Sequence, residues 1–436
     1  MAAMTIPAAI GSTKADTPMT LRVAGYRQLA LRYGMSAFGP IAVSGAHFVA
    51  SIIFLHAFLR ADFGVFAFLL VVVPFCLSLS GSLLGVSITS RTTRDGKPSA
   101  HDLGTHMKVS LLFAGGAALA VAGLLYAVRG PLVVAAVLGL YGGVMTLRWF
   151  ARSAAYAMHT PFRAAASDFL YAVCVIGALV MLLVFHELTV LRASIVLASA
   201  AVLSLAAFGR PYLAQQFWPG RNGALADYAP IWRDITRWSL MGVVLTETTA
   251  NAHAYLVTLI AGPGAFALLA IGALLMRPIS LVYAALPDLE RPAMARAIAA
   301  GDTARALRIV KQFRTAVGAM WVVTVLAAGA ILIWFPHLVL KKGYGEEQAL
   351  IVTALSAAIM AVRAVRTPEA VLMQAAREFR PLARTSLWSS VVSLIATLVL
   401  LLTLGPIASL GGILAGEALM TANIVGLSRR WRQAHA

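Results

Sequence analysis

Several charged or polar side chains of this sequence lie within long apolar runs, where each needs a chemical or structural reason. Glu247 lies about ten residues, or roughly 15 Å, into one predicted membrane span. Glu417 and His47 lie at similar depths in two other predicted spans. A charged side chain at the centre of a membrane-spanning helix costs roughly 2.5–3.5 kcal/mol on insertion scales. Such residues therefore indicate a functional site or a partner within the membrane.

A polar stripe extends from Glu247 along its helix. Asn251, Tyr255 and Thr258 follow at spacings that place all four side chains on one face, which we expect to line a cavity or a partner helix. Arg277, in the cytoplasmic half of the next predicted span, is expected to lie within reach of Glu247. Two interpretations stay open: an ion pair that only neutralises both charges, or a titratable or ligand-binding pair that lines a central cavity.

Two pairs of arginines recur near the predicted cytoplasmic ends of the fourth and tenth spans. Guanidinium groups bind phosphate oxygens in a bidentate manner, which favours an anionic substrate. The alternative is that these side chains extend to lipid headgroups. If the two halves of the chain face each other, the pairs converge on one site. The predicted diphosphate-binding residues are Arg148, Arg152, Arg277, Arg363 and Arg366. The predicted cavity or ion-coupling residues are Glu247, Asn251, Tyr255, Glu417 and His47.

No catalytic motif accompanies these residues. The sequence contains no HExxH, GxSxG or Walker pattern, and no aspartate cluster suited to Mg²⁺. Cys76 and Cys174 lie in apolar runs, which argues against a disulfide framework or a cysteine-based metal site. We therefore predict a transporter and not an enzyme, with no catalytic residues, no metal and no cofactor. Its driving force is predicted to be an H⁺ or Na⁺ gradient, or the gradient of its own substrate.

The composition indicates that lipid surrounds most of this chain. Hydrophobic residues make up 60% of the 436 residues and charged residues 12%, and the mean hydropathy is +0.84. A water-soluble protein of this size needs more charge to cover its surface. The net charge of +18 then reflects Lys and Arg in cytoplasmic loops, and no nucleic-acid partner is predicted.

Hydropathy predicts an all-α polytopic membrane protein with about twelve transmembrane helices in two six-helix lobes. The predicted spans are 33–58, 65–89, 107–128, 132–158, 168–186, 193–213, 237–260, 264–287, 313–336, 349–376, 382–403 and 408–428. The lobes are residues 33–213 and 237–428, joined by a cytoplasmic linker at 214–236 and flanked by cytoplasmic tails at 1–32 and 429–436. Most of the 35 Lys and Arg residues lie in the predicted cytoplasmic segments, which places both termini inside.

A weak internal repeat supports two related halves. Met145–Arg148 (MTLR) matches Met360–Arg363 (MAVR), and Phe162-Arg163 matches Phe379-Arg380. Because both matches run in the same order and orientation, they indicate a parallel duplication like that of several transporter folds.

Three short motifs at the edges of the predicted spans have counterparts in a known transporter superfamily. Asp62–Phe66 (DFGVF) is similar to an acidic-aromatic-Gly-x-aromatic signature, and Tyr344–Ala349 is similar to a Gly-acidic-aromatic-x-x-Ala stretch, with Gln348 in place of the usual aromatic. The basic segment 291–314 resembles a long cytoplasmic connection. Together with the two six-helix lobes, these motifs resemble the multidrug/oligosaccharidyl-lipid/polysaccharide (MOP) exporter superfamily, and within it the Wzx-type polysaccharide flippases.

This resemblance implies a MATE-like, V-shaped transporter that works by alternating access in the bacterial inner membrane. Its implied substrate is an undecaprenyl-diphosphate-linked oligosaccharide, moved to the periplasmic leaflet for exopolysaccharide or O-antigen synthesis. The implied partners are this lipid-linked oligosaccharide, membrane lipids, and the polysaccharide polymerase and export machinery. The predicted number of spans is lower than that of lipid II flippases, and His47 stands near the place where many drug exporters carry an embedded acid.

Two other functions stay open. One is a cation-coupled drug or metabolite exporter of the same superfamily. The other, from a different class, is a membrane polysaccharide polymerase or ligase. The short predicted outer loops argue against the enzyme, because such enzymes carry catalytic residues on a sizeable periplasmic loop.

Overall fold

The computed structural model describes residue 39 and residues 41–90, 98–128, 130–218, 222–340, 345–376 and 378–435. Within these ranges every long element is an α-helix and no strand is present, which confirms the all-α prediction. The predicted tail at 1–32, the beginning of the first span and Tyr344 of one motif lie outside the described residues.

The helices of the first half begin with α1 and end with α6. They are α1 (Ile41–Ala57), α2 (Arg60–Ser80), α3 (Ala100–Ala127), α4 (Leu132–Ala157), α5 (Pro161–Val184) and α6 (Val190–Ser204). A π-helical turn (Gly81–Gly85) and a short helix (Val86–Ser90) continue α2.

The second half follows a short helix (Arg210–Phe217) and a single helical turn (Tyr228–Ile231). Its helices are α7 (Arg237–Ala261), α8a (Pro263–Leu275), α8b (Arg277–Ala299), α9 (Thr303–Trp334), α10 (Glu346–Ala375), α11 (Phe379–Leu404) and α12 (Ser409–Ala434).

Most of these helices are suited to a bilayer. In the part of the chain that the structure describes, nine are long and apolar enough to cross a membrane, and α8a with the start of α8b adds a tenth. The apolar helix α1 is shorter, and α7, which carries the polar stripe, lies outside this set. Counted together they agree with about twelve spans, so the protein is a multi-pass membrane protein. The lobe boundaries and the cytoplasmic side stay predictions.

Packing is closest among helices of the same half. The largest contacts in the first half join α3 to α4 and α4 to α6, and those in the second half join α11 to α12 and α10 to α12. Between the halves, α2 packs against α8a and α7. Near the predicted outer end of α2, Arg60 Nε donates to the Gly264 carbonyl at 2.8 Å, which ties α2 to the first turn of α8a.

Several helices begin earlier than hydropathy predicted, because hydropathy finds the apolar part of a helix and not its polar first turns. The predicted fifth span begins at residue 168, whereas α5 begins at Pro161, a residue suited to the first turn of a helix because no backbone N–H is needed there. Asp302 begins α9 by accepting a hydrogen bond from the Arg305 backbone, about ten residues before the predicted start.

Two spans are broken by proline or a widened turn. Pro278 has no N–H to donate to the carbonyl four residues earlier, which weakens the helix at this point, and the axis bends by 65° between α8a and α8b. In α2, Pro74 lies inside the helix and the π-helical turn follows shortly after. Both breaks lie in the half of the membrane predicted to face the cytoplasm.

Glycine pairs spaced by four residues allow the closest helix contacts in each half. A Cβ added at Gly143 of α4 would lie 2.7 Å from the Ala114 carbonyl oxygen of α3. A Cβ added at Gly412 of α12 would lie 2.2 Å from the Thr397 backbone nitrogen of α11, and Gly416 is equally close to Ser393. Small residues at this spacing let the backbones of membrane helices approach each other.

Replacing Gly412 by Ala should therefore destabilise the protein. The added methyl group must displace backbone atoms of α11, a kind of overpacking that costs about 1–3 kcal/mol. Gly426 is the matched control on the same helix, because nothing lies within 4 Å of a Cβ added there. We expect Gly412→Ala to lower the thermal unfolding temperature in detergent and Gly426→Ala to leave it unchanged or raise it. Equal unfolding temperatures for the two variants would contradict the packing described here.

Candidate functional site

A small cavity lies among α1, α2, α4, α5 and the start of α8b. Its volume is about 170 Å³. Apolar side chains of α2 form one wall, and the other walls carry the charged and polar groups. The charged and polar lining residues are Ser44, His47, Tyr141, Arg148, Trp149, Arg152, Asp168 and Arg277. The structure thus brings four of the ten predicted site residues, from three different helices, to one place.

Arg148 and Arg152 of α4 share the carboxylate of Asp168 on α5. Arg148 Nη2 lies 2.6 Å from Asp168 Oδ1, and Arg152 Nη1 lies 2.5 Å from Oδ2. Arg148 Nε also donates to Ser167 at 3.0 Å, and its guanidinium lies 4.6 Å from the ring centroid of Tyr171. The buried Arg148 is therefore held from several sides, whereas Arg152 is more exposed. Two guanidiniums and one carboxylate leave this cluster with one positive charge.

His47 on α1 joins the same cavity through two tyrosines. Its Nε2 lies 3.1 Å from the Tyr141 hydroxyl and 2.9 Å from the Tyr171 hydroxyl, and the two hydroxyls lie 3.0 Å apart. Because Tyr141 and Tyr171 are fully buried, this triangle fixes α1 against α4 and α5. His47 thus lies at the cavity, as a hydrogen-bonded part of its wall.

Arg277 is the first residue of α8b, immediately after the 65° bend. Its Nη2 donates to the Ser44 hydroxyl at 3.2 Å, and no carboxylate of the described residues pairs with it. This guanidinium is partly buried and lies at the cavity wall. Of the cavity arginines, Arg277 is the one whose charge is not balanced by an acidic side chain in the described ranges.

The suggested pair of Arg277 with Glu247 does not form. Glu247 Oε1 instead accepts a hydrogen bond from Ser78 of α2 at 2.7 Å, and Oε2 accepts one from Asn251 at 3.1 Å. The reason is that α7 packs against α2 with this part of the polar stripe at the contact, so that Glu247 meets α2. Tyr255 of the same stripe packs between Phe68 and Phe75 of α2.

A second charged cluster lies within the other half of the chain. Arg363 Nε lies 2.8 Å from Glu417 Oε1, and Arg366 Nη1 lies 2.7 Å from Oε2. None of these residues lines the cavity. The two arginine pairs therefore do not converge on one site in this structure, and Glu417 is bound by two guanidiniums. The expected convergence is wrong for this conformation because each pair faces a carboxylate of its own half.

Two acidic residues that bind arginines in the structure were not identified from the sequence. Asp168 stood at the predicted beginning of a span, where a charge needs no partner; with α5 starting at Pro161, it lies two turns inside the helix. The proline after Thr160 was the available signal. Glu369 on α10 is 2% exposed and binds Arg314, Arg432 and Ser428. A carboxylate close to the end of a long apolar run gave only a weak signal.

Comparisons with known proteins show which fold this is. No family model matches the sequence, and no curated protein matches it. Among solved structures, the chain is similar to an inward-facing multidrug resistance MATE family transporter of the MOP superfamily. The two share 14% sequence identity, the match covers 90% of this chain and 95% of that chain, and the TM-score is 0.65. It is also similar to the lipid II flippase MurJ in an inward closed conformation, with 10% identity, 90% and 87% covered, and a TM-score of 0.67.

A MATE structure in the straight conformation is a third match, with 13% identity, 93% and 96% covered, and a TM-score of 0.61. At these identities the likeness shows a shared fold. The protein therefore has the fold of MATE transporters and of MurJ, which confirms the MATE-like prediction. The neighbours themselves are named as transporters and a flippase. The Wzx-type assignment stays a prediction.

Replacing Asp168 by Ala should destabilise the protein strongly. Arg148 would be left buried and unpaired, and such a loss costs about 3–5 kcal/mol. Glu187→Ala is the matched control, because Glu187 pairs with Arg192 where the two side chains are 55% and 48% exposed. Exposed ion pairs contribute at most about 1 kcal/mol. We expect a large drop in thermal unfolding temperature for Asp168→Ala and a small one for Glu187→Ala. Equal drops would contradict the structural role of Asp168.

Proposed function

We propose that this protein is a flippase that moves undecaprenyl-diphosphate-linked oligosaccharides across the membrane by alternating access. The observation that carries the proposal is Arg277, a guanidinium at the cavity wall that no described carboxylate neutralises. A cation in a water-poor site needs an anion nearby. A diphosphate carried by the substrate would supply this anion in the loaded state.

The charge of the cavity favours such a substrate. Three guanidiniums (Arg148, Arg152 and Arg277) and one carboxylate (Asp168) line the cavity and leave two net positive charges. Walls of low dielectric strengthen this potential, so phosphate oxygens are attracted and organic cations repelled. Asp168 already binds one nitrogen of the Arg148 guanidinium and one of the Arg152 guanidinium. We therefore assign the main phosphate contact to Arg277 and supporting contacts to the other two arginines.

The break in α8 supports the same assignment. A helix that begins in the middle of a membrane places free backbone N–H groups and the positive end of its dipole there, and in several transporters such half-helix ends point to anionic groups. Arg277 begins α8b at this point. Its side chain and the helix end thus carry charge of the same sign at one position in the span.

The size of the cavity limits what it holds in this conformation. A volume of about 170 Å³ is smaller than the roughly 300–1,000 Å³ of pockets for drug-sized ligands. It suits a phosphate-sized group but not an oligosaccharide. The proposal therefore requires the cavity to widen as the halves of the protein move, with the polyprenyl chain staying in the surrounding lipid.

A cation-coupled exporter is the second candidate, and one group of residues favours it. The Glu247 carboxylate and the Ser78 hydroxyl bring oxygen atoms together where α7 packs against α2, and Asn251 Nδ2 donates to the same carboxylate. Oxygen ligands of this kind suit H⁺ or Na⁺, and their place between the halves would link ion binding to a conformational change. The net positive charge of the arginine cavity favours the flippase, while this cluster is compatible with either function.

We also propose a location and partners for the protein. The resemblance to Wzx-type flippases supports the bacterial inner membrane as the location, and the Lys and Arg bias supports termini in the cytoplasm. A polysaccharide polymerase and export machinery would then use the flipped substrate on the far side.

Replacing His47, Arg363 or Glu417 is expected to act on stability through the networks that hold these residues.

Arg277→Ala should lower transport without lowering stability. The side chain makes one hydrogen bond to Ser44 and no ion pair in the described ranges, so its loss leaves no buried charge unpaired. We expect flipping of an undecaprenyl-diphosphate-linked oligosaccharide in proteoliposomes to fall at least about tenfold, as expected for loss of a charge-assisted contact. Arg277→Lys should retain part of the activity, and Arg192→Ala, on the surface, should retain all of it. Normal flipping by Arg277→Ala at equal protein amounts would refute the proposal.

Glu247→Gln tests cation coupling separately. The amide keeps the shape of the side chain, and its oxygen can still accept the hydrogen bond from Asn251 while its NH2 donates to the Ser78 hydroxyl. It does not titrate, so transport should lose its dependence on pH. The measurement is the initial transport rate in proteoliposomes across a range of pH values, with Glu187→Gln as an exposed control. If the Glu247→Gln profile follows that of the unaltered protein, proton coupling through this carboxylate is ruled out.

A further inference from the structure

A second pocket lies at the predicted cytoplasmic ends of α9, α10 and α12, far along the helices from the outer loops. Its volume is about 350 Å³, twice that of the arginine cavity. It is lined by Arg314, Val365, Glu369, Val425, Arg429 and Arg432. None of these residues lines the arginine cavity, so the pocket is a separate site.

The floor of this pocket is a buried carboxylate bound by two arginines. Glu369 is 2% exposed; its Oε1 accepts a hydrogen bond from Arg314 of α9, and its Oε2 accepts hydrogen bonds from Arg432 and from Ser428, the latter at 2.5 Å. These contacts join α9, α10 and α12. They satisfy Glu369 completely and hold the two guanidiniums in fixed positions.

The pocket holds more positive charge than Glu369 neutralises. Arg314, Arg429 and Arg432 surround one carboxylate, which leaves two net positive charges. In addition, Arg432 Nε is buried and has no acceptor among the described residues. Buried donors are nearly always hydrogen-bonded, so this N–H indicates that an acceptor is missing from the pocket. Stabilisation of Glu369 alone would explain two of the arginines but not Arg429.

The walls and the position of the pocket indicate what supplies that acceptor. Val365 is 48% exposed and Val425 is partly buried, so an apolar surface borders the charged groups. The pocket opens between membrane-spanning helices, near their predicted cytoplasmic ends. Basic pockets between such helices bind the headgroups of anionic lipids, whose acyl chains lie on the adjoining apolar surface.

We propose that this pocket binds a phosphate group, presented by an anionic membrane lipid of the cytoplasmic leaflet. The phosphate oxygens accept hydrogen bonds from Arg429 and Arg432, and the acyl chains lie along Val365 and Val425. Bound lipid then bridges α9, α10 and α12 and strengthens the contacts that Glu369 makes among them. The site is independent of the proposed transport substrate.

The test compares Arg429→Ala with Arg430→Ala. Arg429 lines the pocket and makes no hydrogen bond or ion pair with Glu369 among the described residues; its neighbour Arg430 is equally exposed but lies outside the pocket. Purified protein is titrated with phosphatidylglycerol or phosphatidylcholine in mixed micelles, and with inorganic phosphate in separate samples. Bound lipid is counted by native mass spectrometry, and the thermal unfolding temperature is recorded for each variant without lipid as a check of folding.

We expect phosphatidylglycerol to bind to the unaltered protein and to Arg430→Ala alike, and to raise their unfolding temperatures. Its affinity for Arg429→Ala should be about tenfold lower, as expected for the loss of a charge-assisted contact. Phosphatidylcholine should bind weakly to all three proteins. Equal losses in both variants, or equal binding of both lipids, would overturn the proposal. Protection by inorganic phosphate that depends on Arg429, without binding of phosphatidylglycerol, would overturn the lipid as the source of the phosphate.

Discussion

The free-energy cost of an unpaired charge in lipid explains how the charged side chains of this protein are arranged. Asp168 binds two arginines, Glu417 binds two, Glu369 binds two and a serine, and Glu247 binds Ser78 and Asn251. The first three carboxylates therefore determine which guanidiniums already have an anionic partner. Arg277 gains its importance in this way, because it lies at a cavity and has no such partner among the described residues. Charge balance, more than the number of arginines, distinguishes a candidate binding group from a structural one.

Irregular backbone places that group. Pro278 interrupts the eighth span, so Arg277 begins a new helix inside the membrane and faces α1. Pro74 lies in the facing wall of the cavity. Glycine pairs in α4 and α12 act in the opposite sense, since they bring neighbouring helices into close and rigid contact. Rigid helix pairs joined by broken spans suit the proposed movement of one half against the other.

Each half binds two arginines to one carboxylate, but the two clusters lie in different surroundings. Paired arginines recur on α4 and α10, with Arg148 and Arg363 at matched positions of the predicted repeat, and each pair binds one carboxylate. Asp168 lies on α5, the next helix, whereas Glu417 lies on α12, two helices on. The first cluster consequently lies at the wall of the cavity, and the second is enclosed in its own half. The predicted repeat thus carries basic residues in both halves, while their acidic partners come from different helices.

Sequence alone determined the class of structure: apolar runs of span length predict an all-helical, multi-pass protein, and short motifs indicate a MATE-like fold. It also identified the residues with an energetic reason to be there, because a charge within an apolar run is visible in one dimension. Partners are not, since they depend on where helices begin and which faces meet. Only the tertiary structure showed that Asp168 occupies Arg148, that Glu247 faces α2 and not Arg277, and that Glu369 supports a second pocket. Pairing between distant residues follows from helix packing, and hydropathy carries no information about it.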